Sequence, residues 1–360
     1  MVRPTYAEID LGAIAQNVAA FAELIAPSQV CTVIKGDGYG HGDVPVANAA
    51  LGAGAGLLAV ALVEEGIRLR EAGIEAPVIV LSEPVPDSAV DIARWQLQPT
   101  VYTHEFIQAL EATGATVPVH VKVDTGMHRV GAAPENVSGL VDALRRSPTL
   151  EPAALWTHFA VADEDPEYTR TQIERFDEVA APFDFDVPAT HLANTAGAAL
   201  FPEARRSLCR IGLGTYGLHP CPETVDVVDL RPAMRVVTHV SHVQRLEAGE
   251  RPSYGRVRPL QEPATVATAP IGYADGYHRL LTGAGSALIG GRRYPLAGTV
   301  TMDQIVIDVG DSDVALGDEV VLLGSQGTEE IGADEWARAL GTISYEVVCS
   351  IGPRVPRRYL

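Results

Sequence analysis

Only two of the 27 basic residues in this 360-residue chain are lysines, Lys35 and Lys122; the other 25 are arginines. A bias toward arginine codons accounts for most of that depletion, and it should spare lysine mainly where arginine cannot substitute. Guanidinium stays protonated, whereas a buried amine can lose its proton and act as a nucleophile. Lys35 ends the apolar run VCTVI and precedes GDGYGHG. Such a glycine-rich turn lets backbone approach a ligand, and Tyr39 offers a hydroxyl to an anion such as phosphate. An ordinary loop with an exposed lysine is the alternative. Lys122 lies in VKVDTGMHRVG, with Arg129 beyond the turn, and its alternative is a buried pair with Asp124. His158 ends the run before FAVAD, and Asn194 with Thr195 end HLANT. Taken singly, a strand-end histidine is more often structural, and His191 reads as packing.

The elements that must position these groups alternate. Eight short apolar runs, VCTVI, LLAVAL, VIVLS, QPTVY, VPVHVKV, PAALWTHF, PATHLA and SLCRIG, are separated by helical patterns such as EEGIRLREAG, THEFIQALEATG and DPEYTRTQIERFDEVA. That order implies parallel βαβ units, and eight of them predict an α/β fold, a (β/α)₈ barrel with its chemistry at the C-terminal strand ends. Beyond about Leu230 the period changes to strands (MRVVTHVSHVQRL, ATVATAPIGYA, SALIGG, QIVIDV, EVVLLG, EVVCSIG) with one helical stretch at ADEWARAL. The expected domains are a barrel over 1–230 and a mostly-β C-terminal domain over 231–360. The alternating opening segment, within residues 1–10, could pair with the second domain.

After Arg210 in the eighth strand, Gly212 to Gly217 match GxGxxG, but LHPCPE follows where a dinucleotide fold needs a helix. As a phosphate cradle the segment is attractive, because loops after strands seven and eight of such barrels often bind phosphate. A rim lysine together with a phosphate nest suggests pyridoxal phosphate (PLP), held as a Schiff base.

Composition narrows the remaining classes. The formal charge of −19 disfavours nucleic acid and anionic lipid as partners, and 47% hydrophobic residues with a mean hydropathy of +0.10 supply a core. The N-terminal segment has no apolar signal core. The apolar stretch Val44–Val63 is interrupted by Pro45, Asn48 and three glycines, so it reads as helix, turn and buried strand rather than a membrane span. Four dispersed cysteines suggest neither disulfides nor a zinc site, which places the chain in a reducing cytoplasm.

The motifs KGDGYGHG, KVDTGMHR, THFAVAD, LANTAG, RIGLGTYG, SYG, GYADGY, TMDQ and TISYE, in this order, resemble those of the alanine racemases. The resemblance spans nearly the whole chain and implies a PLP enzyme with an N-terminal barrel, a C-terminal β domain and active sites shared across a homodimer. It implies that Lys35 holds PLP, with Tyr39, Asn194, Thr195, Gly212, Leu213 and Tyr345 as further cofactor contacts, mostly around its phosphate. Arg210 would face the pyridine nitrogen, with His158 on Arg210. Arg129 would touch the phenolic oxygen and the substrate, beside a Lys122 that many members carry as a carbamate. Tyr254 would be the second base, delivered from the partner subunit with Met302 and Asp303, and Tyr273 and Arg279 match gate positions of a substrate corridor. The implied activity is two-base racemisation of alanine, supplying D-alanine for cell-wall precursors.

Three positions depart from the family pattern. Thr299 stands where many members have a corridor arginine, Thr301 replaces a frequent cysteine and His128 a frequent glycine. A racemase of different or broader amino-acid range is therefore the runner-up. A PLP-dependent amino-acid decarboxylase fits the motifs less well, and a non-catalytic PLP carrier is disfavoured by the second domain and Tyr254.

Overall fold

The computed structural model describes residues 3–183 and 187–360. Strand β1 (Tyr6–Ile9) is followed by a helix, Leu11–Ile25, and then by eight strands: β2 (Gln29–Val33), β3 (Leu57–Val60), β4 (Val78–Val80), β5 (Gln98–Val101), β6 (Val117–Lys122), β7 (Leu150–Trp156), β8 (Thr190–His191) and β9 (Leu208–Ile211). They pair in parallel in the order β8-β7-β6-β5-β4-β3-β2-β9. Backbone bonds of 3.0 Å from Ser207 N–H to the Thr190 carbonyl and from Arg210 N–H to the Ala193 carbonyl join the two ends. The sheet thus closes into a (β/α)₈ barrel. Strands covered on both faces can be apolar throughout, which is why Leu58–Val60 and Val78–Val80 are wholly buried.

The helices between them are amphipathic and locally capped. In Pro166–Ala180 the buried positions Thr169, Gln172, Ile173, Phe176 and Ala180 follow the helical repeat. Asp165 accepts the Glu167 and Tyr168 N–H groups, and Pro166 occupies the first turn, where no N–H is needed. Thr103 and Asn194 cap the helices His104–Glu111 and Thr195–Leu200 in the same manner. The stretch Val44–Val63 forms nearly all of a helix (Asp43–Gly52), a turn and β3, and ends where the next helix (Val63–Glu71) begins. Among the described residues no helix is long and apolar enough to cross a membrane.

The chain divides into two compact units, the barrel (Gly12–Gly38 with Asp43–Arg231) and a second unit comprising the described residues up to Leu11, Tyr39–Gly42 and Pro232–Leu360. The second unit contains β10 (Met234–His239), β11 (His242–Leu246), β12 (Ala264–Ala269), β13 (Ser286–Ile289), β14 (Arg292–Pro295), β15 (Ile305–Gly310), β16 (Glu319–Gln326), β17 (Glu329–Ile331) and β18 (Arg357–Tyr359). One sheet runs β14-β13-β16-β10-β1-β18 with β17 on β16, and a second runs β11-β12-β15. MRVVTHVSHVQRL is therefore two strands in two sheets.

One reading of this unit is corrected, and three strands are additional to those expected. EVVCSIG is not a strand: Ser344–Cys349 is helical and buries Ser344, Val347 and Val348 at helical spacing. A short apolar run cannot be assigned by periodicity alone. Strands β14, β17 and β18 carry RRYP, EEI and RRY, so no apolar alternation announced them. Both β14 and β18 are edge strands, where charge is the usual guard against further pairing.

Candidate active site

Lys35 follows β2 and opens a backbone turn in which Gly36, Asp37, Gly38 and Tyr39 all have left-handed φ, from 52° to 63°. Glycine adopts this readily; Asp37 and Tyr39 do so at a cost, and such strain persists only where the surroundings over-determine it. They do so here through acids. Glu65, itself buried, accepts the N–H groups of Gly36 (2.7 Å), Ala61 (2.8 Å) and Leu62 (3.1 Å). Asp37 accepts the Asp43 N–H at 3.1 Å, tying the turn to the start of the next helix.

Strand register lays a row of side chains across the barrel: Lys122 pairs with Trp156, and Trp156 with His191. Lys122 Nζ sits 4.4 Å from the Trp156 ring centroid, Arg210 lies 4.6 Å from the same ring, and His191 stacks on it at 5.1 Å. Asp124 is engaged elsewhere, accepting the N–H groups of Gly126, Met127 and His128 and lying 3.3 Å from His128 Nδ1. The Lys122–Asp124 pair is thus not formed. Burial first, and then the Arg210 and Arg129 cations, pull the Lys122 ammonium down to about 7.

Arg210 is 2% exposed and fixes every proton around it. A guanidinium only donates, so His191 Nδ1, 2.7 Å from NH1, must accept. His191 then carries its proton on Nε2 and donates to His120 Nδ1 at 3.1 Å, and His120 donates from Nε2 to Gln98 Oε1 at 2.9 Å. NH2 donates to the Thr157 and Leu192 carbonyls, both at 2.8 Å, and to His158 Nδ1 at 3.1 Å. All three imidazoles are consequently neutral. Burial, reinforced by Arg210, lowers His120 to about 4 and holds His158 and His191 well below the ordinary histidine value.

This geometry tests the expected cofactor. Both terminal nitrogens of Arg210 are engaged by protein acceptors, whereas Nε–H has none among the described residues, leaving one donor for an acceptor such as a pyridine nitrogen. Thr195 Oγ1 accepts the Gly212 N–H at 3.1 Å, which leaves its hydroxyl proton for an anion. Asn194 caps the following helix, accepting the Gly197 N–H at 2.8 Å. Leu213 opens the 3₁₀ turn Leu213–Tyr216. These residues fit PLP.

The barrel therefore carries Lys35, Lys122, Arg129, His158, Asn194, Thr195, Arg210, Gly212 and Leu213, and the second unit carries the other expected residues. There Tyr39 is buried, with its ring centroid 6.2 Å from that of Tyr345, and burial followed by Tyr345 pushes its hydroxyl pKa up. Tyr254 is 74% exposed in the turn Tyr254–Arg256. Tyr273 opens a turn braced by Asp275, which accepts the Gly272 N–H at 3.0 Å and pairs with Arg3 at 2.8 Å. Arg279 begins the turn Arg279–Leu281, Met302 is exposed, and Asp303 pairs with Arg354 at 2.7 Å.

Sequence reasoning missed His191, which is a hydrogen-bonded partner of Arg210 rather than mere packing, and also missed His120, Gln98 and Gln172. Gln172 holds the loop after β7 by accepting the Ala160 N–H at 2.9 Å and donating to the His158 carbonyl at 3.2 Å. One signal was available: His120 and Lys122 are two apart in a strand and so share a face.

Residues 9–220 match the family model for the N-terminal domain of alanine racemase, and residues 233–359 match its C-terminal domain. The alanine racemase of Symbiobacterium thermophilum is 44% identical over 99% of this chain and 97% of its own length. The crystal structure of alanine racemase from Bacillus anthracis with bound L-Ala-P superposes with a TM-score of 0.93 at 37% identity, covering 100% of this chain and 96% of that one. A histidine racemase from Leuconostoc mesenteroides is also similar, with a TM-score of 0.92 at 27% identity over 100% of this chain and 98% of that one. With both domains matched in order over nearly its full length, the chain belongs to the alanine racemase family of PLP-dependent enzymes.

Proposed function

We propose that this chain interconverts L- and D-alanine by a two-base mechanism, with Lys35 on one face of the substrate and the partner subunit's Tyr254 on the other, and so supplies D-alanine for cell-wall precursors. The observation that carries the reading is the single unengaged Nε–H of the buried Arg210, on the strand paired with the one that leads to Lys35. PLP, when bound, supplies an electron sink that makes the α-proton of an amino acid removable. Lys35 would hold it, Thr195, Gly212 and Leu213 of the barrel would bind its phosphate, and the family resemblance gives Tyr39 and Tyr345 the same role.

Racemisation requires removing a proton on one face and returning one on the other, so Lys35 Nζ and the tyrosine hydroxyl alternate as base and acid. Burial lowers Arg210 only to about 10, so it stays charged at neutral pH and would donate to the ring nitrogen without protonating it. A sink weakened in this way disfavours competing losses such as CO₂. Arg129 orients the substrate, and Lys122, uncharged in part near pH 7 and seated on Trp156, carries a carbamate that holds Arg129. Tyr254, Val257, Tyr273, Leu280 and Met302 are all exposed on the second unit, which supports a homodimer that covers them.

Incubation with PLP and L-alanine, with separate assays of D-alanine and CO₂, tests the reading: D-alanine without CO₂ is expected, and CO₂ release would make the chain a decarboxylase. Thr299, which leaves out a corridor charge, and the likeness to a histidine racemase favour one second reading, a broader amino-acid range. L-histidine racemised faster than L-alanine would establish it.

A further inference from the structure

The turn carrying Tyr254 is held in a conformation its own sequence disfavours. Ser253 has φ 68° and ψ −177°, and Gly255 and Arg256 have φ of 71° and 49°. The Ser253 combination is almost confined to glycine and persists only when neighbours impose it.

One neighbour does so from both sides. The Thr299 hydroxyl donates to the Tyr254 carbonyl at 2.7 Å, and the Ser253 hydroxyl donates to the Thr299 carbonyl at 2.6 Å. Thr299 is 4% exposed, so water does not substitute for these bonds. Just before it, the backbones meet so closely that a Cβ on Gly298 would lie 2.3 Å from the Pro252 carbonyl oxygen. Beyond it, the Val300 N–H donates to Thr282 Oγ1 at 3.0 Å, and that hydroxyl donates to the Arg279 carbonyl at 2.7 Å. The Thr301 and Met302 carbonyls accept the Tyr273 and Ala274 N–H groups at 3.0 and 3.1 Å. The segment Gly298–Met302 is thus the common anchor of the turns bearing Tyr254, Tyr273 and Arg279. Apart from the Thr299 hydroxyl, the segment contributes only backbone groups to these anchors, which most replacements of its side chains would leave intact. The tie to Tyr254 depends on the Thr299 side chain.

We propose that Thr299 is a positioning residue for the acid–base tyrosine: its hydroxyl, with that of Ser253, clasps the Ser253–Arg256 turn and fixes where the Tyr254 hydroxyl can reach. The proposal rests on Tyr254 acting as the second base. A side chain at 299 without a donor keeps the backbone anchors and the Ser253 bond to the 299 carbonyl, and loses the half of the clasp that holds the Tyr254 carbonyl.

The test compares Thr299→Val, which keeps the branched shape without the donor, with Thr299→Ser, which keeps the donor. In the PLP-loaded enzyme, Thr299→Val should lower kcat for alanine by ~10-fold or more with KM moved by less than about 3-fold, the pattern of a lost transition-state contribution. Solvent deuterium uptake should slow more for L-alanine than for D-alanine. Without substrate or PLP, backbone hydrogen exchange across 253–257 should accelerate in Thr299→Val and stay near parental in Thr299→Ser, which should also recover kcat. Ser253→Gly, which relieves the backbone while removing the other hydroxyl, should lower kcat similarly. Parental kcat and exchange in Thr299→Val would overturn the proposal, as would equal losses in the valine and serine variants or equal slowing on both faces. Tyr254→Phe separates the two layers. If it racemises normally, the two-base reading itself is wrong; if it is defective while Thr299→Val is not, only the clasp is refuted.

Discussion

Arg210 and Tyr254 are held in opposite ways. Arg210 is 2% exposed, and its terminal nitrogens are anchored by the carbonyls of Thr157, His191 and Leu192 and by two histidine rings. Tyr254 is 74% exposed and is held through its backbone. In the barrel, one always-protonated group dictates the tautomer of each imidazole, so the proton inventory is complete within a single chain. In the second unit, the backbone turn is built and the side chain left open, as suits a group completed only when something covers it. A rigid electrostatic frame and an exposed tyrosine held by its backbone are different design problems, and they fail differently under mutation.

The largest effect should come from the barrel. Replacing Lys35 with Arg keeps the charge and removes the nucleophilic amine, so borohydride should no longer fix PLP to this position, and racemisation should fall by ~10⁴-fold or more. Peptide mapping of the reduced protein reads the first outcome directly. PLP still fixed covalently in the arginine variant would refute the assignment.

The next largest should be one-sided. With Lys35 intact, Tyr254→Phe should lose ~10²–10⁴-fold of racemisation while deuterium still enters D-alanine far faster than L-alanine. Mixing Lys35→Ala and Tyr254→Ala chains should restore some activity, because a hybrid dimer contains one site with both groups. Silence after demonstrated subunit exchange would mean that each site is built within one chain.

The same contrast explains what the sequence could show. Eight apolar runs and the helical spacing between them are repeated, redundant signals, so the barrel was legible. Lys35 stood out because lysine is otherwise almost absent. The role of His191 was not legible, because hydrogen bonds between neighbouring barrel strands depend on register, which no single strand encodes. The Ser253–Thr299 clasp joins residues 46 apart in the chain, and neither residue is unusual for a loop. The helix Ser344–Cys349 was misread because a few buried valines look alike in either structure.

A smaller effect separates the frame's stability from its chemistry. His120 takes its proton at about 4 in the folded barrel and near 6.5 in the unfolded chain. Between those values the unfolded chain binds more protons, so stability is whole above 6.5 and declines as pH falls toward 4, by up to roughly 3 kcal/mol from this group. His120→Leu should flatten that acid decline in urea midpoints while costing ~1–3 kcal/mol at neutral pH, since His191 Nε2–H loses its acceptor. An unchanged acid slope would mean that His120 is not held neutral by the fold.

The smallest effect concerns Lys122. Carbon dioxide adds only to an uncharged amine. An exposed lysine with a pKa near 10.4 is almost wholly ammonium at neutral pH. Lys122, lowered to about 7 by burial and its two arginine neighbours, is uncharged in about half the molecules there. The bound carboxyl group seen by native mass spectrometry in bicarbonate buffer should therefore decrease as pH falls below about 7 and increase above it, with no comparable change at Lys35. Adding a negative charge beside Arg129 relieves the repulsion that lowered the amine in the first place, so the arginines that depress Lys122 also favour its carbamate. Removing CO₂ should raise KM by only ~2–5-fold, because substrate orientation loosens while proton transfer remains intact. If no adduct appears at any pH and KM ignores bicarbonate, Lys122 serves as a plain amine packed on Trp156, and the barrel frame is complete without it.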